Sequence, residues 1–283
     1  MPQPKPKPKP TPTLNLIGAG RLGQTLAHLW TQAGVLVVQD VLTTRTESAQ
    51  AACRFIGAGT AAHSLADMRD ADLWLIATPD AQIAACAAAL AATNAPTAGG
   101  PRTVFHCSGA LASDVLQALG DKGWQLASAH PILSFANAQS ASAQFAGTPC
   151  ALEGDAPACA LLQTVFSAIG GQCFALRSED KLLYHAAAVF ATNFLPVLQS
   201  VAEAAWRDSG VPPEMVLQLR STLLHNAVHN ILAQGPAGAL TGPAKRGDVH
   251  AIARQAAAVR AWDPQAGAAY AALSALALRL AGH

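Results

Sequence analysis

The chain has 283 residues, of which 51% are hydrophobic and 12% are charged, and its formal net charge is +1. This length allows a sizeable core in one large or two modest domains. A net charge so close to zero argues against nucleic acid or an anionic membrane surface as the main partner. The six cysteines form no C-x-x-C pair and no regular framework, which predicts reduced thiols.

The first 13 residues alternate lysine with proline. Because proline has no amide N–H and a fixed φ, this segment predicts an extended, disordered tail rather than a helix or a strand. The tail lacks the apolar segment of a secretory signal, and we find no later run of about 18 apolar residues that would predict a membrane span. We therefore expect a cytoplasmic protein with no membrane partner.

A glycine-rich turn at residues 18–23 joins an apolar run that starts at Leu14 to a helical apolar pattern. In a G-x-G-x-x-G turn, Gly18 allows the tight turn, Gly20 lets a pyrophosphate approach the backbone, and Gly23 lets helix and strand pack closely. The helix N-terminus adds free N–H groups and the positive end of its dipole. The alternative is a turn whose glycines serve helix packing only. The predicted dinucleotide contacts here are Gly18, Ala19, Gly20, Arg21, Leu22 and Gly23.

Strand-like apolar runs then alternate with helical patterns. The runs after the first are residues 35–42, 73–77, 103–107, 125–129, 148–152 and 172–176. Continuous apolar strands between helices are typical of a parallel sheet that is covered on both faces. Residues 14–177 therefore predict an α/β, Rossmann-like domain with a doubly wound, mostly parallel sheet.

No strand pattern remains beyond residue 177. Helical patterns cover residues 181–209, 212–234, 248–260 and 264–280, and a Gly/Pro-rich loop covers residues 235–247. We predict that residues 178–283 form an all-helical domain for substrate binding and dimerisation.

The segment after the second strand decides between NAD and NADP, because a carboxylate there binds ribose hydroxyls whereas a 2′-phosphate needs hydroxyls and a cation. Asp40 lies 20 residues after Gly20, but it falls inside the strand, where we expect it to face a neighbouring helix. Thr43, Thr44 and Arg45 occupy the strand tip and favour NADP. If the strand ends three residues earlier, Asp40 favours NAD instead.

Ligands of open parallel sheets bind at the carboxyl ends of the strands. This rule adds Thr78 and Pro79 to the dinucleotide site, and it places His130 and Ser108 at the same crevice. His130 precedes a proline and is suited to act as an acid or base on a hydroxyl, carbonyl or imine, unless it only bonds to backbone at a tight turn. Ser108 is suited to bind the same group, or else caps the following helix.

In the helical part, Lys181 and His185 lie four residues apart on one helix face. Polar groups in an otherwise apolar helix need partners or a wet cleft, so both are candidates for chemistry or for interdomain hydrogen bonds. We predict no metal site.

Four later motifs complete a resemblance to a known family: residues 105–110, 128–135, 184–193 and 240–248. With the glycine turn, they resemble a family that joins a Rossmann-like NADP-oxidoreductase domain to a C-terminal helical domain of unknown function. The resemblance implies this fold and a homodimer, but no substrate.

The layout is more distantly similar to pyrroline-carboxylate reductase, 6-phosphogluconate dehydrogenase and prephenate dehydrogenase. Prephenate dehydrogenases place a catalytic histidine in a His-Pro pair and a serine one strand earlier, which implies these roles for His130 and Ser108. The sequence after Pro131 departs from their glycine-containing turn. Related hydroxyacid dehydrogenases place a lysine where Lys181 stands, but His185 replaces the asparagine expected one turn later.

These features predict an NADP-dependent oxidoreductase. It would transfer a hydride between the nicotinamide and a small carbonyl, hydroxyl or imine substrate in the interdomain cleft. One alternative is a catalytically silent NAD(P)-binding sensor or scaffold. The other is an NAD-dependent hydroxyacid dehydrogenase.

Overall fold

The computed structural model describes residues 10–93 and 102–283. It divides into two compact units, Met1–Ala187 and Ala188–His283. Most of the predicted tail, residues 1–9, lies outside the described residues. The first strand begins at Thr13, one residue earlier than expected, and the carbonyl of Pro12 accepts a hydrogen bond of 2.9 Å from the amide of Val37.

Within the described residues, the first unit contains one eight-stranded sheet with the strand order β3-β2-β1-β4-β5-β6-β7-β8. All neighbouring strands pair in parallel except β6 and β7, which are antiparallel. This confirms the predicted Rossmann-like, mostly parallel sheet. The strands are β1 (Thr13–Ile17), β2 (Val37–Leu42), β3 (Thr60–Ala61), β4 (Leu73–Ile76), β5 (Thr103–His106), β6 (Gln125–Pro131), β7 (Pro149–Gly154) and β8 (Gln172–Ala175).

The central strands are buried on both faces, as their apolar runs predict. Every residue of β4 and β5 is buried. On one face, Trp30 packs edge-on against Phe105 and Phe166, and its indole N–H donates a hydrogen bond of 3.0 Å to the carbonyl of Val165. A separate apolar cluster around Trp74 covers the other face. The sheet is therefore a rigid support for the loops at its edge.

The helices of the first unit are α1 (Arg21–Ala33), α2 (Thr46–Ile56), α3 (Asp80–Ala92), α4 (Gln117–Gly120), α5 (Ala138–Gln144), α6 (Ala156–Ala168) and α7 (Lys181–Ala188). The predicted helix after Ala110 is instead the 3-10 turn Ser113–Leu116 followed by the short α4. The sequence did not indicate α5, because its small and polar residues carry no apolar stripe. The side chain of Asn137 caps α5 by accepting a hydrogen bond of 2.8 Å from the amide of Ser140.

The second unit is helical, which confirms the prediction for the C-terminal part. A π-helical segment (Val189–Asn193) precedes α8 (Phe194–Asp208), α9 (Pro213–Ala239), α10 (Gly242–Lys245), α11 (Val249–Trp262) and α12 (Pro264–Ala281). The π segment interrupts the single helix expected over residues 181–209. The expected loop at residues 235–247 is partly helical, since the chain resumes its helix after a turn at Gly235, where φ is 71°.

One helical segment of the described residues, Ser178–Asp208, is long and apolar enough to cross a membrane by length and composition alone. Our search of the sequence for apolar runs did not identify this segment. A single segment of this kind is weak evidence, because a core helix of a water-soluble protein meets the same criterion, although none of this segment's 18-residue apolar window is buried. The segment also contains the buried ammonium group of Lys181.

Candidate functional site

The strand order brings the carboxyl ends of β2, β1, β4, β5 and β6 side by side along one edge of the sheet. The segments that leave these ends carry most of the polar residues predicted to form the site. The strand order therefore places these segments next to one another, as predicted. In open parallel sheets, this is the edge where a cofactor and a substrate bind.

The glycine turn after β1 has the geometry that the sequence predicts. Gly18 has φ of 83°, and a Cβ there would lie 2.7 Å from the carbonyl oxygen of Ala77. A Cβ on Gly23 would lie 3.1 Å from the Cβ of Ala77, so this glycine allows close packing of α1. Apart from its chain neighbours, no atom of the described residues lies within 4 Å of a Cβ built on Gly20. The turn thus leaves open space only at the position where a pyrophosphate is expected to approach.

A cavity of about 840 Å³ extends from this turn past the end of β2 to the loop after β3. The predicted residues that line it are Gly18, Ala19, Gly20, Thr43, Thr44, Thr78 and Pro79. Arg21, Leu22, Gly23 and Arg45 do not line it. Sequence reasoning missed Ser48, His63 and Ser64, which do. His63 and Ser64 follow the two-residue strand β3, which is too short for an apolar pattern to reveal.

The cavity fits a dinucleotide. The hydroxyl oxygen of Thr78 is buried and has no hydrogen-bond partner among the described residues. Gly20 precedes α1 without a side-chain cap, and the first turn of α1 contains no acidic residue. A pyrophosphate would supply acceptors to the Thr78 hydroxyl and to the first N–H groups of α1.

Asp40 lies inside β2, two residues before its end, and its side chain is buried. Its carboxylate accepts hydrogen bonds of 2.7 Å from both the backbone amide and the guanidinium of Arg69. The strand position matches our expectation, but the partner is Arg69 in a loop rather than a neighbouring helix. Because Arg69 already binds both carboxylate oxygens, Asp40 is poorly placed to bind a ribose.

Lys181, at the start of α7, is only 1% exposed and has three acceptors around its ammonium group. It donates hydrogen bonds of 3.0 Å to the carbonyl of Ser108 and 2.5 Å to the hydroxyl of Ser128. A carboxylate oxygen of Glu153 lies 3.7 Å away. Burial lowers the pKa of Lys181, and the charge of Glu153 opposes this shift. The ammonium group thus joins α7 to the strands β6 and β7 and to the loop that follows β5.

The carboxylate of Glu153 is itself fully bonded. It accepts hydrogen bonds of 2.8 Å and 2.9 Å from the amide and hydroxyl of Ser113, and one of 2.7 Å from the hydroxyl of Ser178. Sequence reasoning missed Glu153, which stands in a strand far from Lys181 along the chain. Because both charges have local partners, this buried ion pair is positioned to support the site rather than to react.

Ser108 uses all of its hydrogen-bonding capacity inside the protein. Its hydroxyl donates to a carboxylate oxygen of Asp80 at 2.7 Å and accepts from the amides of Ala110 and Leu111 at 3.2 Å and 3.0 Å. These bonds close the turn that follows β5. Ser108 does not cap a helix, because the next 3-10 turn begins only at Ser113 and its first residues have no side-chain cap. The bond from Ser108 also brings Asp80, at the first position of α3, to the edge of the site.

His106 is likewise bonded on both ring nitrogens. Its Nδ1 accepts a hydrogen bond of 3.1 Å from the amide of Ser108, so Nε2 carries the proton toward the carbonyl of Ala112, also at 3.1 Å. Burial, followed by the charge of Lys181, lowers the pKa of His106 to about 4. His106 is therefore a neutral structural residue.

His130 and His185 pack against Gly109, which follows the end of β5. A Cβ on Gly109 would lie 2.9 Å from Nε2 of His130 and 2.5 Å from Nδ1 of His185. The Nδ1 of His130 is 3.0 Å from the hydroxyl of Tyr184, the first residue of the motif at residues 184–193. The Nδ1 of His185 is buried and has no hydrogen-bond partner among the described residues. Only glycine at position 109 leaves room for this arrangement.

The imidazole of His130 is neutral at physiological pH. Burial, followed by the charges of Lys181 and His185, lowers its pKa to about 4, against the opposing charge of Asp80. A neutral imidazole accepts a proton at one nitrogen and donates at the other. With Nδ1 facing Tyr184, Nε2 is the nitrogen available for proton exchange.

Comparison with known proteins gives two family matches. The chain matches the model of a Rossmann-like domain over residues 7–131 and that of a domain of unknown function, DUF2520, over residues 148–277. This confirms the resemblance on which the sequence interpretation rested. No curated protein matches the sequence.

Several solved structures share the fold across most of the chain. A protein from Thermotoga maritima is 26% identical, with 95% of this chain and 98% of that chain covered and a TM-score of 0.75. A protein from Bacteroides fragilis, proposed to be an NADP oxidoreductase, is 21% identical with the same coverage and a TM-score of 0.70. A pyrroline carboxylate reductase from Plasmodium falciparum with NADP bound is 10% identical, with 95% and 98% covered and a TM-score of 0.55. A prephenate dehydrogenase with NAD⁺ reaches a TM-score of 0.51 at 17% identity, with 74% and 73% covered.

Proposed function

We propose that this chain, which joins a Rossmann-like domain to a DUF2520 domain, is an NAD(P)-dependent oxidoreductase. Its substrate would be a small carbonyl, hydroxyl or imine compound. One observation carries the proposal: the cavity that fits a dinucleotide and the His130 imidazole lie along the same edge of one sheet. The fold of the dinucleotide-bound reductases and dehydrogenases described above supports it.

We further propose that NADP is preferred. Asp40 is the residue that would bind a ribose in an NAD enzyme. It lies inside β2, and its carboxylate is already paired with the guanidinium of Arg69. Thr43 and Thr44 line the cavity at the end of β2 instead. Hydroxyl groups at this position are suited to a phosphate, and Arg45 supplies a nearby positive charge.

The proposed chemistry rests on His130. When bound, the nicotinamide ring would supply the hydride chemistry at this edge of the sheet. In the oxidising direction, the neutral imidazole of His130 takes the proton from a substrate hydroxyl at Nε2, while Tyr184 holds Nδ1. In the reducing direction, the same nitrogen returns the proton. The unpartnered Nδ1 of His185 offers a second contact to the reacting group. Ser108 and Lys181 act by positioning these residues rather than by touching the substrate.

The decisive experiment is His130→Asn, with His250→Asn at an exposed position as the matched control. We expect both variants to retain NADPH binding, measured by nicotinamide fluorescence. In a screen of small carbonyl, imine and hydroxyl compounds, turnover of His130→Asn should fall by about 10²–10⁴-fold, the usual contribution of a positioned acid or base. An activity within a few-fold of the unmutated protein would reject His130 as the acid or base.

A catalytically silent dinucleotide-binding protein is the second candidate function. It is favoured by the complete internal bonding of Ser108 and Lys181, two of the four residues that the sequence suggested for chemistry. NADPH binding without turnover on any compound in the screen would support this candidate and reject the oxidoreductase.

We also propose a homodimer formed by the helical unit. Its helix α9 exposes several large apolar side chains, including Leu223 and Leu232, the latter 82% exposed. Exposed apolar area of this extent is typical of a surface that a partner covers. Sedimentation velocity should give a dimer for the unmutated protein, and Leu232→Glu should shift the population toward monomer.

A further inference from the structure

We propose that Asp80 binds a positively charged nitrogen of the substrate, so that the substrate is an amine or its iminium rather than an alcohol or a hydroxyacid. This inference rests on the proposed function, because it assumes hydride transfer and proton exchange at His130. It goes further by identifying a specificity-determining residue and the chemical class that this residue selects.

Asp80 offers one carboxylate oxygen to a ligand. It is the first residue of α3, and it is exposed. One of its carboxylate oxygens accepts the hydrogen bond of 2.7 Å from the hydroxyl of Ser108. The other oxygen makes no hydrogen bond, and Asp80 forms no ion pair, within the part of the chain that the structure describes. The bond from Ser108 therefore orients a carboxylate that still has an acceptor for a ligand.

This carboxylate belongs to the turn that also holds the proposed acid or base. Ser108 is followed by Gly109, against which the imidazoles of His130 and His185 pack. The negative charge of Asp80 opposes the effects that lower the pKa of His130, so its field reaches this imidazole. A substrate that places its reacting group at Nε2 of His130 therefore also lies in the field of Asp80.

Four other ionisable groups near this turn contribute no net charge. The ammonium group of Lys181 lies 3.7 Å from the carboxylate of Glu153, and both side chains are buried. Burial keeps the imidazoles of His106 and His130 neutral by lowering the pKa of each to about 4. None of these four groups therefore balances the negative charge of Asp80. A cationic substrate is attracted by this charge, whereas a carboxylate is repelled.

A hydroxyacid would need a cation for its carboxylate, and Lys181 is not available for this role. Its side chain is only 1% exposed. Its ammonium group already contacts the carbonyl of Ser108, the hydroxyl of Ser128 and the carboxylate of Glu153. Moving the ammonium group toward a ligand would leave Glu153 buried without its counter-charge, which is costly. The geometry at this turn therefore disfavours a hydroxyacid.

The basicity of His130 also favours an amine over an alcohol. An imidazole whose pKa is about 4 is a weak base. An alkylammonium group has a pKa of about 10, as in lysine. It gives up its proton far more readily than a hydroxyl, whose pKa is closer to that of bulk water at about 15.7. Nε2 of His130 is therefore better matched to an ammonium group than to an alcohol.

The proposed reaction balances in both directions. In oxidation, Nε2 of His130 takes a proton from the ammonium nitrogen. The neutral amine then loses a hydride from the adjacent carbon to the oxidised dinucleotide, and the nitrogen lone pair becomes the π bond of the iminium. In reduction, the iminium carbon accepts the hydride, the π electrons return to nitrogen, and His130 returns the proton. Asp80 pairs with the ammonium and with the iminium, the charged species at the two ends of the reaction.

The test uses matched compounds in which one hydrocarbon skeleton carries an ammonium, a hydroxyl or a carboxylate group. One series is cyclohexylamine, cyclohexanol and cyclohexanecarboxylate, and the others are the corresponding butyl and benzyl compounds. Calorimetry gives their dissociation constants for the full chain saturated with NADPH, where the amine cannot be oxidised. In at least one series we expect the ammonium compound to bind about tenfold more tightly than its hydroxyl counterpart, as for a charge-assisted hydrogen bond. With NADP⁺ instead, the same amine should be oxidised.

Three variants separate the charge of Asp80 from its structural role. Asp80→Asn keeps an acceptor for the hydroxyl of Ser108 but removes the charge, so the affinity for the ammonium compound should fall to that of the hydroxyl compound. Asp80→Glu retains the charge and should retain a preference for the ammonium compound. The matched control is Glu214→Gln, which removes an exposed carboxylate from the first turn of α9 and should behave as the unmutated protein.

The outcomes distinguish this inference from the proposed function. If no series shows a preference for the ammonium compound, or if the preference survives in Asp80→Asn, the role of Asp80 is overturned. Turnover of an alcohol or a carbonyl compound would then leave the oxidoreductase intact. If Asp80→Asn instead weakens NADP⁺ relative to NADPH and leaves the preference unchanged, Asp80 faces the nicotinamide ring rather than the substrate, and the inference is wrong. If no compound of the wider screen is turned over, the proposed function itself is rejected.

Discussion

Two regions at the same edge of the sheet treat their polar groups in opposite ways. Around Lys181 and Glu153, every donor and acceptor that we have described is satisfied inside the protein. In the cavity along the glycine turn, the hydroxyl of Thr78 is buried and has no partner among the residues that the structure describes. Because a buried polar group without a partner is costly, unsatisfied groups mark where a ligand is expected and satisfied groups mark structural support. The comparison predicts different consequences for substitutions in the two regions.

The largest effect is expected for Lys181→Met, which leaves the buried carboxylate of Glu153 without its counter-charge. Breaking a buried ion pair by removing one partner costs about 3–5 kcal/mol of stability. Urea unfolding should show a loss of this size, whereas Lys245→Met, at an exposed position, should change stability by less than about 0.5 kcal/mol.

A double variant keeps this prediction testable if Lys181→Met alone does not fold. Replacing both Lys181 by Met and Glu153 by Gln removes both charges, so the double variant should be more stable than the single one. A double variant that is no more stable than Lys181→Met would show that the pair has no coupling and that the comparison is wrong.

The satisfied region should also determine how stability depends on pH. His106 has a pKa of about 4 in the folded protein, below its ordinary value of 6.5. Between these values the unfolded chain takes up a proton that the folded chain excludes, so the free energy of unfolding falls as the pH is lowered from 6.5 to 4. At 1.36 kcal/mol per pKa unit, the full loss is about 3 kcal/mol.

His106→Gln is the variant that checks this pH dependence by denaturant unfolding at a series of pH values. It should be less stable at pH 7, because glutamine cannot reproduce both ring hydrogen bonds, and its stability should vary less between pH 6.5 and 4. His130 also contributes in the same window, since its pKa is lowered to about 4 as well. The residual slope should therefore diminish further when His130→Asn is added.

The glycine turn lets the two kinds of effect be separated within three residues. Gly18→Ala introduces a Cβ only 2.7 Å from a carbonyl oxygen at a positive φ, so it should destabilise the fold by more than about 1 kcal/mol. Gly20→Ala meets no atom within 4 Å and should leave stability unchanged. The new methyl group would nevertheless occupy the open space, so the affinity of the Gly20→Ala variant for NADPH should fall at least tenfold. If the two variants changed NADPH affinity and melting temperature equally, the assignment of Gly18 to stability and of Gly20 to cofactor binding would be wrong.

The sequence was sufficient for features that depend on local pattern. The apolar runs indicated seven of the strands. The glycine spacing indicated the tight turn, which the positive φ of Gly18 and the close packing at Gly23 confirm. It was insufficient for contacts between distant segments. No local pattern around Ser108 shows that its hydroxyl donates a hydrogen bond to Asp80. Likewise, no local pattern around Lys181 identifies Ser128 and Glu153 as its partners. His63 was missed because β3 has only two residues, too few to give a periodic signal.

The smallest predicted effect concerns Tyr184, whose hydroxyl pairs with His130. Tyr184→Phe removes the hydroxyl that pairs with Nδ1 of His130 at 3.0 Å, but it keeps the edge-on packing of the two rings. Losing one such hydrogen bond costs about 1 kcal/mol. The matched control is Tyr270→Phe, because the hydroxyl of Tyr270 donates to Gln255 at an exposed position, where a change within about 0.5 kcal/mol is expected. Affinity for NADPH should be the same in both variants, since neither tyrosine lines the cavity. If Tyr184→Phe weakened NADPH binding while stability stayed unchanged, Tyr184 would contact the ligand. Its assignment as a residue that only supports the site would then be wrong.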